Sequence, residues 1–170
     1  MNRTNERAVR IGVSAVSLLA AAAWLGGILV LGAVVAPIVF HTVHAPDSAD
    51  AMTTVFLTFD KVAMSSAVII ALTEAARSRF GSIRRVDLAR IASAVVAFAL
   101  AFTQGLALSP RIAELHAQGA IRNVGDLGLR LESTHKWSEL CGKTESFALV
   151  VFVVLVVASD ALAYRPAAEA

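Results

Sequence analysis

The chain has 170 residues, of which 57% are hydrophobic and 16% are charged, whereas a soluble domain averages about 45–50% apolar and about 25% charged residues. Its single cysteine excludes an internal disulfide and any zinc or iron–sulfur cage built from the cysteines of one chain, and its formal net charge of +2 is too small to indicate nucleic acid as a partner. This composition indicates one domain, residues 1–170, that has lipid as its solvent.

Four apolar segments are long enough to cross a bilayer, for which a helix needs about 20 apolar residues. The first, Ile11 to Phe40, has no ionisable side chain. A cleaved signal peptide is the alternative for this segment, but its apolar region covers only about 7–15 residues. We predict an all-α integral membrane protein, a four-helix bundle, with spans near residues 14–38, 55–76, 89–108 and 144–164.

Arginine placement predicts the orientation of these spans. The N-terminal segment and residues 77–90 are rich in arginine, whereas residues 41–54 contain neither lysine nor arginine. Because basic loops stay on the cytoplasmic side, both termini are expected in the cytoplasm, with the protein in the cell (inner) membrane. We interpret the arginines between Arg77 and Arg90 as topology signals that contact anionic lipid headgroups.

Small residues at four-residue spacing predict where the helices touch, because close backbone approach drives helix association in lipid. Such faces could also join the chain to copies of itself or to other subunits. Candidate positions are Ser93, Ala97, Ala101, Gly105 and Ser109 in the third span, and the pairs Ala22–Gly26, Ala23–Gly27 and Gly32–Ala36 in the first.

Few ionisable residues fall near the spans. At about 1.5 Å per residue, Asp60 and Lys61 lie near the outer boundary and Asp160 near the inner one. Gln104 lies deeper and is expected to hydrogen-bond across helices. The absence of a charged residue from the span centres argues against a proton-coupled pump.

Histidines and carboxylates in the two outer segments form a candidate site for a transition metal ion or haem. Imidazole together with carboxylate suits zinc, copper or iron. His135 is the strongest candidate ligand, since Glu132 and Glu139 lie on the same helical face. The full candidate set is His41, His44, Glu132, His135 and Glu139.

An alternative interpretation is that these side chains bind no ligand. Glu132 and Glu139 each precede a lysine by four residues, a spacing typical of a solvated ion-paired helix face. Cys141 could join His135 at a metal, or could simply pack as a small residue.

Three short motifs carry a family resemblance. Trp24-Leu25-Gly26-Gly27 followed by Ala36-Pro37, then Ser109-Pro110-Arg111-Ile112, and finally His135-Lys136-Trp137-Ser138 resemble the DUF4149 family, also called the transmembrane protein 205-like family. The resemblance implies four membrane helices without a settled activity. It marks Trp24, Gly27, Pro37, Pro110, Arg111, His135 and Ser138 as the family's positions. A more distant likeness to the copper-resistance D family implies metal or haem chemistry.

Three functional hypotheses follow. The first is a small membrane component that binds or transports a metal ion or haem at its outer face, and the second is a structural or accessory subunit of a larger membrane assembly. The third, a haem-linked membrane oxidoreductase, needs a histidine at membrane depth, and the spans contain none. No phosphate loop, serine-hydrolase elbow or zinc-protease motif is present, so the sequence favours no catalytic residue.

Overall fold

A computed structural model describes residues 3–79 and 84–163, and every regular element in those ranges is helical. The elements are α1 (Arg3–Val30), α2 (Ala36–Thr42), α3 (Asp47–Arg77), α4 (Arg85–Thr103), α5 (Ser109–Ala117) and α6 (Gly125–Ala163). Two π-helical turns, π1 (Leu31–Val35) and π2 (Gln104–Leu108), join α1 to α2 and α4 to α5 without a break. Four rods result.

All four rods are long and apolar enough to cross a membrane: Ala8–Thr42, Asp47–Arg77, Arg85–Ala117 and Gly125–Leu162. The predicted all-α four-helix membrane architecture is thereby confirmed. We call the end where α1 starts and α6 finishes the terminal end. The opposite end, which carries residues 43–46 and 118–124, is the loop end.

The outer surface of the bundle is apolar, the reverse of a soluble protein. Leu19, Leu72, Val95 and Val154 each expose between 59% and 71% of their surface. Contact between such side chains and lipid tails costs no free energy, whereas their exposure to water is unfavourable. The surface therefore fits a chain whose helices are surrounded by lipid.

Each π-helical turn precedes a proline by two residues. π1 ends at Val35 before Pro37, and π2 ends at Leu108 before Pro110. A proline inside a helix lacks the backbone donor and crowds the preceding turn, and a widened turn is a common way to relieve that conflict. The third rod consequently continues past Pro110 through α5, beyond residue 108, where the predicted third span ends.

The core lies between small residues and a few large side chains. Ala97 and Ala101 on α4 are 1% exposed, and they pack with Trp24, Phe152 and Val156. The predicted contact face of the third span is confirmed, because Ser93 and Ser109 are also buried.

The first span turns a different face inward from the one its small-residue pairs predict. Ser17, Ala21 and Trp24 are buried, whereas a side chain on Gly26 or Gly32 would meet nothing within 4 Å. The prediction from spacing was wrong because Trp24 also faces inward. A buried carboxylate accepts a hydrogen bond from the indole N–H of Trp24, and this bond fixes the rotation of α1. Only Gly27 of the predicted pairs has a close contact, with the ring of Phe59.

A buried ionic network ties α3, α4 and α6 together at the terminal end. Arg90, 4% exposed, donates to Glu74 at 2.8 Å, to Asp87 at 2.7 Å and to the Ser159 hydroxyl at 2.6 Å. Ser159 in turn donates to Asp87 at 2.8 Å. The carboxylates of Glu74 and Asp87 are therefore each paired with a positive charge in a region from which water is excluded.

Arg77 extends the network to the remaining rod. Its guanidinium lies 3.5 Å from Asp160 and 3.7 Å from Glu74, and it donates to the hydroxyl of Ser14 on α1. Arg77 and Arg90 thus bind protein carboxylates, which corrects their interpretation as lipid contacts; Arg79 and Arg85 are exposed.

The loop end has a small core of its own. Ile112 and Leu115 of α5 pack with Ala120 and with Leu131 near the start of α6. At about 1.5 Å per residue, the 39-residue α6 is far longer than a hydrocarbon core of about 30 Å. Its first turns and α5 therefore extend beyond the lipid tails.

Replacing Gly27 by alanine is expected to lower the free energy of unfolding by about 1–3 kcal/mol through overpacking, because the new Cβ would overlap the Phe59 ring. Gly26→Ala is the matched control, since its Cβ meets nothing within 4 Å and it makes the same change in helix propensity. The measurement is the free energy of unfolding in mixed detergent micelles. Equal stability of the two variants would show that α1 and α3 are not in close contact here.

Arg90→Met is expected to lower the free energy of unfolding by about 3–5 kcal/mol, because it leaves the carboxylates of Glu74 and Asp87 buried without their main partner. Arg85→Met, an exposed change on the same helix, is expected to stay within about 0.5 kcal/mol. Unfolding of both variants in mixed micelles provides the comparison. An Arg90→Met protein as stable as Arg85→Met would contradict the network's structural role.

Candidate functional site

A second cluster of buried polar side chains lies between the helices, toward the loop end. Its first element is Glu145 of α6, which is 3% exposed and accepts a hydrogen bond from the indole N–H of Trp24. Trp24 is itself 1% exposed. This bond connects the first and fourth rods at a depth where no water is available to either group.

Gln104, the first residue of π2, forms the second element. Its amide nitrogen donates to Ser109 at 3.1 Å and to Ser138 of α6 at 2.6 Å. The predicted hydrogen bond from Gln104 across helices is thereby confirmed. With both amide hydrogens used on serines, the amide oxygen Oε1 of Gln104 is buried and has no partner within residues 3–79 and 84–163.

Asp60 of α3 completes the cluster. It is 6% exposed, its carboxylate interacts with the Ser109 hydroxyl, and its Oδ2 atom has no partner among the described residues. Gly105 permits the close approach of Asp60 to π2, because a Cβ there would stand 3.2 Å from the Cβ of Asp60. We call Trp24, Asp60, Gln104, Ser109, Ser138 and Glu145 the buried acid cluster.

A histidine pair lies beyond this cluster, where α5 meets α6. The rings of His116 and His135 are edge to face, with centroids 6.0 Å apart and planes at 66°. Both side chains are half-buried. Neither imidazole makes a hydrogen bond to any group in the part of the chain that the structure describes, so their ring nitrogens remain available.

An ion pair borders these rings. Arg122 donates to Glu132, and this hydrogen bond raises the pKa of Arg122 above its ordinary value. Lys136 lies 3.4 Å from the same carboxylate. Glu132 is thus engaged by two cations, beside the histidine pair.

The other residues of the predicted metal site are more scattered. His41 and His44 are exposed at the loop end, and Glu139 pairs with Lys143 at 2.6 Å, the spacing expected of a solvated helix face. Among residues 3–79 and 84–163, no three histidine, cysteine or acidic side chains lie together in an arrangement that could hold one metal ion. Of the predicted set, His135 is the one brought against another imidazole, and that partner, His116, is not in the set.

The sequence analysis also did not single out Glu145, although this residue lies at the start of the predicted fourth span, 144–164. The signal was present, since Glu145, Ala148, Leu149 and Phe152 follow helical spacing and all are buried. Extending the apolar face of α6 by one turn would have placed Glu145 in the core.

A sequence model of the family described as "Domain of unknown function (DUF4149)" matches residues 19–121. The chain belongs to the DUF4149 family. The comparisons with curated proteins and with solved structures gave no match.

The matched region of this DUF4149 protein runs from α1 to the loop after α5. It includes Trp24, Asp60 and Gln104 of the buried acid cluster together with His116, and it ends before His135, Ser138 and Glu145. The remaining motif positions of the first three rods make contacts outside the buried acid cluster. Gly27 lies against Phe59, Pro37 and Pro110 follow the π-helical turns, and Arg111 pairs with Glu114.

Trp24→Phe is expected to lower the free energy of unfolding by about 1–3 kcal/mol, because it leaves a buried carboxylate without its donor. Trp137→Phe is the matched control, since Trp137 is 60% exposed and its loss should stay within about 0.5 kcal/mol. Unfolding in mixed micelles measures both. If the two variants are equally stable, the Trp24–Glu145 bond does not hold the first and fourth rods together.

Proposed function

We propose that this protein binds a transition metal ion at the loop end of its bundle, with the imidazoles of His116 and His135 as ligands. The observation that carries the proposal is the approach of these two rings, from different helices, with no hydrogen bond to either. Imidazole is a ligand that zinc and copper accept readily.

The spacing of the pair suits a shared ion. Metal–nitrogen bonds are about 2.0–2.1 Å long, so two imidazoles on one tetrahedral ion hold their ring centres about 5–6 Å apart. The observed separation is 6.0 Å.

The surroundings favour transient binding over a structural metal. A structural zinc site has four protein ligands, whereas this pair supplies two and leaves the remaining positions to water or to an incoming group. Glu132 borders the site but pairs with Arg122 and Lys136. An open, half-buried ion with two protein ligands can be exchanged, which suits a component that accepts and passes on a metal.

The position also suits exchange with one side of the membrane. The histidine pair lies at the loop end, and the arginine distribution predicts that this end faces away from the cytoplasm. Metal would then arrive from outside the cell, at the part of α6 that extends beyond the lipid tails.

We expect the purified, chelator-stripped protein to bind one Zn²⁺ or Cu²⁺ per chain, measured by titration calorimetry and elemental analysis. His116→Ala and His135→Ala should each weaken binding by at least about tenfold, because a single imidazole cannot hold the ion with the same affinity. The His41→Ala, His44→Ala double variant removes two exposed histidines and is the matched control; its binding should be unchanged.

Two results would contradict this proposal. One is the absence of saturable metal binding by the intact protein, and the other is equal weakening by the control and the His116 and His135 variants. A Soret absorbance band that disappears in the His135 variant would show that the ligand is haem in place of a bare ion.

A further inference from the structure

Glu132 lies beside the histidine pair but does not belong to a metal site as the structure stands. It precedes His135 by three residues on α6, so the two side chains share one helical face. A glutamate and a histidine at this spacing bind metal ions together in several helical bundles. Within residues 3–79 and 84–163, however, Glu132 does not join the two imidazoles in a set of three ligands for one ion.

Arg122 is the side chain that engages this carboxylate. It lies in the loop between α5 and α6, and its guanidinium Nε donates to Oε2 of Glu132. Lys136 lies 3.4 Å from the other oxygen, Oε1. Because Lys136 is 71% exposed, its ion pair contributes little, whereas a charge-assisted hydrogen bond from a guanidinium is among the strong ones. Arg122 is therefore the main partner that Glu132 must leave before it can bind anything else.

We propose that Arg122 controls metal exchange at the histidine pair by holding Glu132 away from the ion. This inference rests on the proposed function, since it concerns the same ion. While the ion pair is closed, the ion has two imidazoles as its protein ligands and is released readily. When Arg122 is withdrawn, Glu132 becomes a third ligand, and two histidines with one glutamate form a ligand set that zinc accepts. Arg122 does not touch the ion, so it is a positioning residue.

The exposure of the two partners suits a pair that opens. The side chain of Arg122 is 57% exposed, whereas that of Glu132 is 16% exposed. The guanidinium can therefore move into solvent while the carboxylate stays close to α6.

The loop that carries Arg122 has attachments that do not involve this ion pair. Ala120 packs against Leu131 of α6, and the backbone N–H of Asn123 donates to the carbonyl of Gly128 at 3.3 Å. The loop consequently keeps its place when the guanidinium moves or is replaced. A change at Arg122 thus alters the partner of Glu132 without removing the packing around it.

The test compares variants of the full chain in detergent, after chelator has removed any bound metal. Affinity for Zn²⁺ is measured by titration calorimetry, and release of Zn²⁺ into excess chelator is followed by stopped-flow. We expect Arg122→Gln to bind Zn²⁺ at least about tenfold more tightly and to release it at least about tenfold more slowly, the size of effect that residues around a metal's ligands commonly have. Arg130→Gln removes the same charge from an exposed position of α6 and should match the unaltered protein.

A double variant separates the gain of a ligand from the loss of a positive charge. Arg122→Gln combined with Glu132→Gln should bind and release Zn²⁺ like the unaltered protein, because no carboxylate is then available as a third ligand. Glu132→Gln alone should also stay close to the unaltered protein, since Arg122 already holds that carboxylate away from the ion.

Equal affinity in Arg122→Gln and Arg130→Gln, in a protein whose binding requires His116 and His135, would overturn control by Arg122 and leave the proposed metal site in place. A gain that persists in the double variant would overturn it too, because loss of charge would then explain the effect. If the unaltered protein binds no Zn²⁺, the proposed function fails and this inference fails with it. Should Arg122→Gln not fold, Arg122→Met takes its place with the same expected gain, and Arg130→Met becomes its control.

Discussion

Pairing of buried polar groups inside lipid is the constraint on which the rest of this structure depends. Water cannot reach the helix interfaces, so every polar side chain there must find its partner within the bundle or on a ligand. At the terminal end oppositely charged side chains pair within the protein, with Arg90 between Glu74 and Asp87 and with Arg77 joining the first and fourth rods. Glu74 Oε1 and Arg77 Nε lie 3.7 Å apart there, close enough for charge pairing, but neither makes a hydrogen bond within the described part of the chain.

The cluster nearer the loop end is built from the same kinds of atoms but is left open. Glu145 has one donor, Trp24, and Asp60 keeps an oxygen without a partner. Evolution of a stable bundle alone would favour apolar side chains here, because replacing buried ionic groups by apolar ones often stabilises a protein. No partner within the described part of the chain offsets the cost of burying this oxygen of Asp60.

The two π-helical turns give the bundle its functional geometry. Each accommodates a proline without ending its rod, so α2 and α5 continue toward the loop end. The continuation of the third rod through α5 is what brings His116 against His135. Had the third rod stopped at residue 108, where the predicted span ends, the histidine pair would not form.

The sequence by itself determined the four membrane helices, because length and apolar composition depend on the chain alone, and it also determined the face of the third rod on which Ala97 and Ala101 pack. Tertiary structure alone decided the rotation of α1, the hydrogen bond from Trp24 to Glu145 and the pairing of Arg90 with Glu74. The physical reason is that a polar side chain's partner in these cases lies on another helix, and spacing along one helix carries no information about the helix beside it.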